Sequence, residues 1–435
     1  MTVLSPVDRR KWIGRFSCSL GIAAGVTCLL ASVLVANPIL AHGDETSITS
    51  SLRTTSTPES NVSAPVILMQ LDMVSSSVGW GISTNAVVRT TDGGAEWTRV
   101  LTLPKAAGMN WFSFRLAALN SSQAWLAEER AIRVRGDATA SRGGSQSARL
   151  TIRATTNGGV TWSRATPWLP RSVQSSVNSL QFVNSKVGWL MVVQTGMGAP
   201  GHNALSHELL GTTDGGLTWS RIEFNYGNRH SPHAISDCAF EAHVTFTSQS
   251  DGWATSVSEG CRPPTHSVYR TTDGGSTWLV RDLPVKRGWN PSVCRCRSYL
   301  YSQPPTFSGK VGVLPAIVSP PGEVVLYRTS NGGNSWQPTT PIRARRGGVV
   351  PEPGFASLGA QRVWMLLDST LYSTTTYGER WRIAARRPNL DTTAMLQFVS
   401  KAEGFALSSL HPAYIYATVD AGHTWRKVRT FMNNM

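Results

Sequence analysis

The seventeen residues AVVRTTDGGAEWTRVLT, positions 86–102, decide the reading of the chain, because their core, TTDGGAEW, is spelled repeatedly. It returns as TTNGGVTW (155–162), TTDGGLTW (212–219), TTDGGSTW (271–278), TSNGGNSW (329–336), TTTYGERW (374–381) and TVDAGHTW (418–425). The acidic or amide position falls at 92, 157, 214, 273, 331 and 420, with Thr376 in its place in the sixth copy, so the steps are 65, 57, 59, 58, 45 and 44 residues. A period of that size marks one supersecondary unit, too small to bury its apolar face except against its own copies.

A second marker precedes each copy: GW (79–80), AW (124–125), GW (188–189), GW (252–253), GV (312–313), VW (363–364) and GF (404–405). Between the markers lie short β-rich runs separated by Asn, Ser and Gly turns, and no run keeps a helical period. The fullest unit, LQFV, GWLMVV, ELLGTT and TWSRI, gives four antiparallel strands A to D, with the repeated phrase closing the C–D hairpin. In that phrase the Asp or Asn is expected to accept hydrogen bonds from amides two residues on, and Gly to supply the positive φ of the turn. The Trp opens strand D and is expected to bury its ring between neighbouring sheets. Asp92, Trp97, Asn157, Trp162, Asp214, Trp219, Asp273, Trp278, Asn331, Trp336, Trp381, Asp420 and Trp425 are therefore read as structural. One carboxylate per loop falls far short of the six to eight oxygens calcium needs.

The pattern S/T-x-D-x-G-x-x-W resembles the Asp-box, or BNR repeat, of sialidases, sortilin-type receptors and other β-propellers. Seven copies, each paired with an upstream GW-type marker across residues 66–435, most resemble the photosystem II stability and assembly factor family. That resemblance implies an all-β, seven-bladed propeller exported to the lumenal side of a thylakoid, and help in building a membrane complex. The sixth copy departs from the pattern, keeping only Gly378 and Trp381 of the Asp, Gly and Trp set. The boxes recur on propellers of unrelated function, so they bear on the fold and not on an activity.

Residues 1–42 read as a signal peptide or an N-terminal membrane anchor: a basic DRRKWIGRF segment is followed by an uncharged run from Phe16 to Ala41. Residues 43–65, rich in Ser and Thr, read as a flexible linker. The chain is thus expected to be exported, and either secreted or anchored. Its net charge of +15 falls to about +12 without residues 1–42, which hold four Lys/Arg and one Asp. A basic exported surface suits a protein partner with an acidic face, an anionic envelope polymer or lipid headgroups, whereas the compartment argues against nucleic acid. Cys238, Cys261, Cys294 and Cys296 cluster around the fourth unit and are candidates for disulfides in three possible pairings, with a zinc site as the alternative.

In a four-stranded meander the A–B and C–D turns share one face of the ring, and the B–C loops and links between blades share the other. The first set is short throughout; the second holds every long insertion. That elaborated face is the candidate site, because variable loops on a rigid scaffold carry function. It collects Lys286, Arg287, Arg295, Arg297, Arg343, Arg345, Arg346, Arg386 and Arg387, and arginine forks onto carboxylates or phosphates. No catalytic residue, cofactor or metal is assigned, and a monomer is expected. The alternative is a carbohydrate-active propeller. That needs paired carboxylates, and none of the loop acids, among them Glu128, Glu129, Glu208 and Glu323, forms an evident pair. FRLA at 114–117 resembles the sialidase F-R-I-P phrase but lacks the Pro and reads as strand A of the second unit. Because strand D of the seventh unit lies so near the last residue, the ring is expected to close by packing between the first and seventh blades, assisted by residues 60–65, without an exchanged strand.

Overall fold

The computed structural model describes residues 66–104, 112–133, 146–167, 174–195, 205–222, 225–227, 234–236, 239–258, 267–284, 299–302, 304–319, 322–344, 354–390, 395–408, 414–428 and 430–433. The chain divides into two units, Met1–Asn61 and Val62–Met435. The first lies outside the described residues, as do Lys286, Arg287, Arg295, Arg297, Arg345, Arg346 and all four cysteines named above.

The second unit is all-β: seven antiparallel meanders, one per repeat, form a seven-bladed propeller. Blade 3 shows the pattern in full, with A at Gln174–Phe182, B at Gly188–Thr195, C at Leu205–Thr212 and D at Ser220–Ile222. FRLA falls within strand A of blade 2, Phe112–Ala118. In blade 5 strand A is broken into Tyr299–Ser302 and Thr306–Ser308, and strand D into Gln337–Pro338 and Ile342–Arg343.

The box holds its hairpin through more groups than the Asp, Gly and Trp. In blade 1 the Thr90 hydroxyl donates to Asp92 Oδ1 at 2.8 Å and accepts from the Gly94 amide at 3.0 Å. The Asp92 carboxylate accepts from the Glu96 amide, and Trp97 Nε1 donates to the Gly94 carbonyl at 2.9 Å. That first threonine (Thr90, Thr155, Thr212, Thr271, Thr329, Thr374, Thr418) stands in all seven copies and is buried in each. In the degenerate sixth copy Thr374 still accepts the Gly378 amide, and the Thr376 hydroxyl takes over from Asp by accepting the Arg380 amide at 2.9 Å. Tyr377 there adopts φ 57°, as Ala421 of the seventh copy does at φ 61°, where the other five copies have glycine, a conformation that costs a side-chain-bearing residue.

Box tryptophans were expected between the sheets: Trp97, Trp278 and Trp336 are fully buried, and Trp162, Trp219, Trp381 and Trp425 are partly buried against the core clusters. The seams between blades hold both markers, with the strand-B tryptophan packed against strand A of the next blade and the box tryptophan at its edge. Trp125 of blade 2 stacks on Phe182 of blade 3 at 3.6 Å, and Phe182 meets the box Trp219 edge to face at 5.9 Å. Trp189, Phe246 and Trp278 repeat this at the next seam, Trp253, Phe307 and Trp336 at the one after, and Trp364, Phe398 and Trp425 between blades 6 and 7. The strand-B indole also reaches the neighbouring box: Trp125 Nε1 donates to the Gly215 carbonyl at 2.8 Å and Trp189 Nε1 to that of Gly274 at 3.1 Å. Such aromatic pairs add about 0.5–1.5 kcal/mol each to the area they bury.

This arrangement explains the glycine of GW. Phe182 lies opposite Gly188 in the A–B register, and a Cβ on that glycine would fall 2.6 Å from the phenyl ring. Where strand A carries a small residue instead, the glycine is released: Ala118 faces Ala124 and Ser357 faces Val363. The pair is conserved in volume, as close packing demands.

A further tie runs around the inner strands. Gln181 of blade 3 donates from Nε2 to the Phe246 carbonyl and accepts the Phe246 amide, both at 2.8 Å, so one side-chain amide bridges to blade 4. Gln397 of blade 7 bonds Met73 of blade 1 in the same way. Blade 1 carries Asp72 at this position, which accepts the Ala118 amide of blade 2 at 2.8 Å. Burial pushes the Asp72 carboxyl up from its ordinary pKa, against the hydrogen bonds from Ala118 and Gln397.

The expectation that the ring closes without an exchanged strand is overturned. Residues Phe431–Asn433 form a last strand that pairs in parallel with strand D of blade 1, Glu96–Thr102, placing Phe431 opposite Glu96 and Asn433 opposite Thr98. Met432 packs against the cluster that joins Trp97 and Met73 of blade 1 to Phe405 and Ile415 of blade 7. Blade 1 therefore has five strands drawn from both ends of the unit, and the residues beyond the last box are what packing alone left out of account.

Candidate docking face

The two faces of the ring differ in what their side chains are free to do. On the box face the first box glycine bonds back to the A–B turn of its own blade, as in Gly93 N to Ser77 O at 2.8 Å and Gly215 N to Lys186 O at 2.8 Å. The box acids are consumed by their hairpins. Its slight burial would raise the pKa of Asp214, but hydrogen bonds from the Thr218 hydroxyl and amide, the Thr212 hydroxyl and the Leu217 amide outweigh this and hold it at about 2. Asp420 is likewise held at about 2, with Thr424, Thr418 and the charge of His423 outweighing burial.

On the opposite face, two of the described basic candidates stand exposed: Arg386 at the end of strand D of blade 6, and Arg387 just beyond it. Arg387 adopts φ 49° and its amide bonds to Ser369 O at 2.8 Å, so it caps the tight B–C turn of that blade. Arg343 differs from the expectation. Its side chain is 78% exposed, but its Nε lies 2.6 Å from Oε1 of Glu323, which is buried, so the charge is already answered within blade 5.

The same geometry corrects the reading of the acids. Glu128, Glu129, Glu208 and Glu323 do not sit on loops; they are buried on strands B and C. Arg221 of strand D grips Glu208 of strand C with two hydrogen bonds, 2.5 and 3.1 Å, as Arg343 grips Glu323. Arg153 stands 3.6 Å from Glu128. A buried carboxylate needs such a partner, because leaving it alone costs several kcal/mol. The signal that could have found them was the strand period, which puts Glu208 two residues before Leu210 on one face.

Strands, boxes and seams together define the class: a seven-bladed β-propeller with an Asp-box in its C–D hairpins. No protein-family model matches the chain, and no curated protein matches it. Among solved structures it is similar to YCF48 bound to a D1 peptide (14% identity, 86% of this chain and 93% of that one, TM-score 0.47). It is also similar to the polysaccharide lyase PL25, an ulvan lyase (10% identity, 82% and 93%, TM-score 0.46), and to a Hadza microbial sialidase (13% identity, 81% and 73%, TM-score 0.39). Likenesses of this size assign no substrate or partner to this chain.

Proposed function

We propose that this chain is an exported, non-enzymatic propeller that docks a protein partner at a membrane surface through its loop-bearing face. The observation that carries the proposal is the contrast between the faces: box side chains are spent on their own hairpins, while Arg386 and Arg387 stand exposed on the other, where the sequence puts the long connections. A rigid ring with variable loops at one end suits recognition, and arginines suit an acidic partner. The buried glutamates do not favour the glycosidase alternative, since Glu208 and Glu323 already hold arginines. The motif resemblance to assembly factors extends the reading to the building of a membrane complex; in an organism without photosystem II only the scaffold role remains.

The test compares the full chain with an Arg345→Ser, Arg346→Ser, Arg386→Ser, Arg387→Ser variant in crosslinking to membranes of the source organism. Loss of a defined crosslinked protein in the variant supports docking. Unchanged crosslinking, or hydrolysis of chromogenic glycosides by the purified chain, contradicts it.

A further inference from the structure

The outer rim of a propeller is a ring of edge strands, and this chain shows what such an edge can accept. In blade 1 the edge is taken by the parallel strand Phe431–Asn433, laid on Glu96–Thr98. Strand D of blade 1 carries a bulge: Val87 pairs with Leu101 and Val88 with Arg99, leaving Val100 out of register. Its carbonyl is then bonded by Trp162 Nε1 of blade 2 at 3.0 Å.

Blade 6 repeats the bulge at the same place in strand D, with a different donor from the next blade. Leu371 pairs with Ala385 and Tyr372 with Ile383, leaving Ala384 as the bulge, and the Ala384 carbonyl meets His423 Nδ1 of blade 7 at 2.8 Å. Its strand D, Arg382–Arg386, is five residues long, second only to that of blade 1 among the outer strands described. No described strand covers it. Elsewhere the edge is shorter, with three residues in blades 2 and 3 and four in blade 4, or it is interrupted and carries Pro338 in blade 5, which cannot donate to a ladder. Along the uncovered edge Arg380, Arg382, Arg386 and Arg387 are exposed, and Ile383 stands 41% exposed among them. The nearby acid, Glu379, is tied to Arg328 of blade 5.

We infer that the outer edge of blade 6 is a strand-addition site for an extended, acidic peptide segment of the docked partner. The inference rests on the docking reading and names the partner's chemistry. Main-chain pairing along residues 381–383 supplies the affinity, acidic side chains answer the arginines, and an apolar residue covers Ile383, as Met432 covers the core in blade 1. The competing account is that the arginines only guard a bare edge against self-association.

Fluorescence anisotropy separates the two, using the full chain in detergent at low salt and a labelled peptide alternating glutamate and valine. A second peptide of the same sequence, N-methylated at every other residue, keeps the charge and loses the ladder. The site requires the parent peptide to bind, the methylated one to bind at least about tenfold more weakly, and Arg382→Glu to lose about fivefold with unchanged melting. Equal binding of both peptides overturns the edge site while the docking reading stands, because charge alone then holds the partner. Absence of parent-peptide binding overturns the edge site in favour of the guarding role, and the membrane crosslinking still decides docking.

Discussion

The seam between blades 3 and 4 and the seam between blades 5 and 6 solve the same problem with different materials. At the first, Trp189 lies flat on Phe246 at 3.7 Å, with the Trp278 ring at 6.2 Å. At the second, blade 5 offers Val313 in place of the tryptophan, blade 6 offers Ser357 in place of the phenylalanine, and the box is the degenerate one. Val313, Leu326, Ala360 and Val363 form a small aliphatic cluster there. Polar groups make up the difference: the Ser308 hydroxyl accepts the Ala360 amide at 2.9 Å, and Arg328 lies over the Tyr377 ring while pairing with Glu379. Blade 6 also concentrates backbone strain, with Asp368, Ser369, Tyr377, Arg387 and Asn389 all at positive φ. The lesson is that sheet number is set by the repeated hairpin, while the strength of each joint is set separately by what fills it.

The comparison breaks most visibly at the indoles. Trp189→Ala should cost on the order of 3–5 kcal/mol in denaturant unfolding, whereas Val313→Ala at the weaker seam should cost about 1–2 kcal/mol. Similar losses would mean the aromatic stack adds nothing to the joint. The volume rule between strands A and B gives the next largest effect. Gly188→Ala should cost about 1–3 kcal/mol by overpacking Phe182, and in a Phe182→Ala background the same change should be nearly free. A double-mutant cycle with no coupling would remove the explanation of the GW glycine.

Smallest are the proton-linked effects, and they have opposite signs. Folding raises the Asp72 pKa, so the folded state holds that proton more tightly; its stabilising contribution is complete below 3.8 and is lost as pH rises through the folded value. Folding lowers Asp214 and Asp420 to about 2, so their contribution is present above 3.8 and is lost as pH falls toward 2. Asp72→Asn should flatten the first slope, its one amide oxygen keeping the Ala118 amide at the cost of the longer bond from Gln397 Nε2. Asp214→Asn should flatten the second only slightly, since that carboxylate is exposed. Unfolding measured as a function of pH would show either slope missing or reversed.

Much of the fold was legible because its signal is repeated. Seven hairpin phrases fixed blade number, strand order and the division into two faces. The box threonine stood in the pattern but was given no role, because its partners are amides that the spacing does not name, although Thr374 survives where the Asp does not. The seam role of the GW tryptophans was hidden because contact between blades links residues about sixty positions apart, as Trp125 and Phe182 do. Closure was misread for a simpler reason: Phe431–Asn433 is three residues long and belongs to no repeat. The candidate site was less legible still, since Arg343 reads as a surface charge until Glu323 is placed beside it.

Closure on blade 1 is the claim on which the ring depends, and one crosslink tests it. With Thr98→Cys and Asn433→Cys, whose positions face each other in the parallel pair, oxidation of the dilute full chain should give an intramolecular disulfide and raise the melting temperature, because it closes a very long loop. A bond that forms only between two copies, or none under conditions where the chain is folded, would show that the last strand does not complete the first blade.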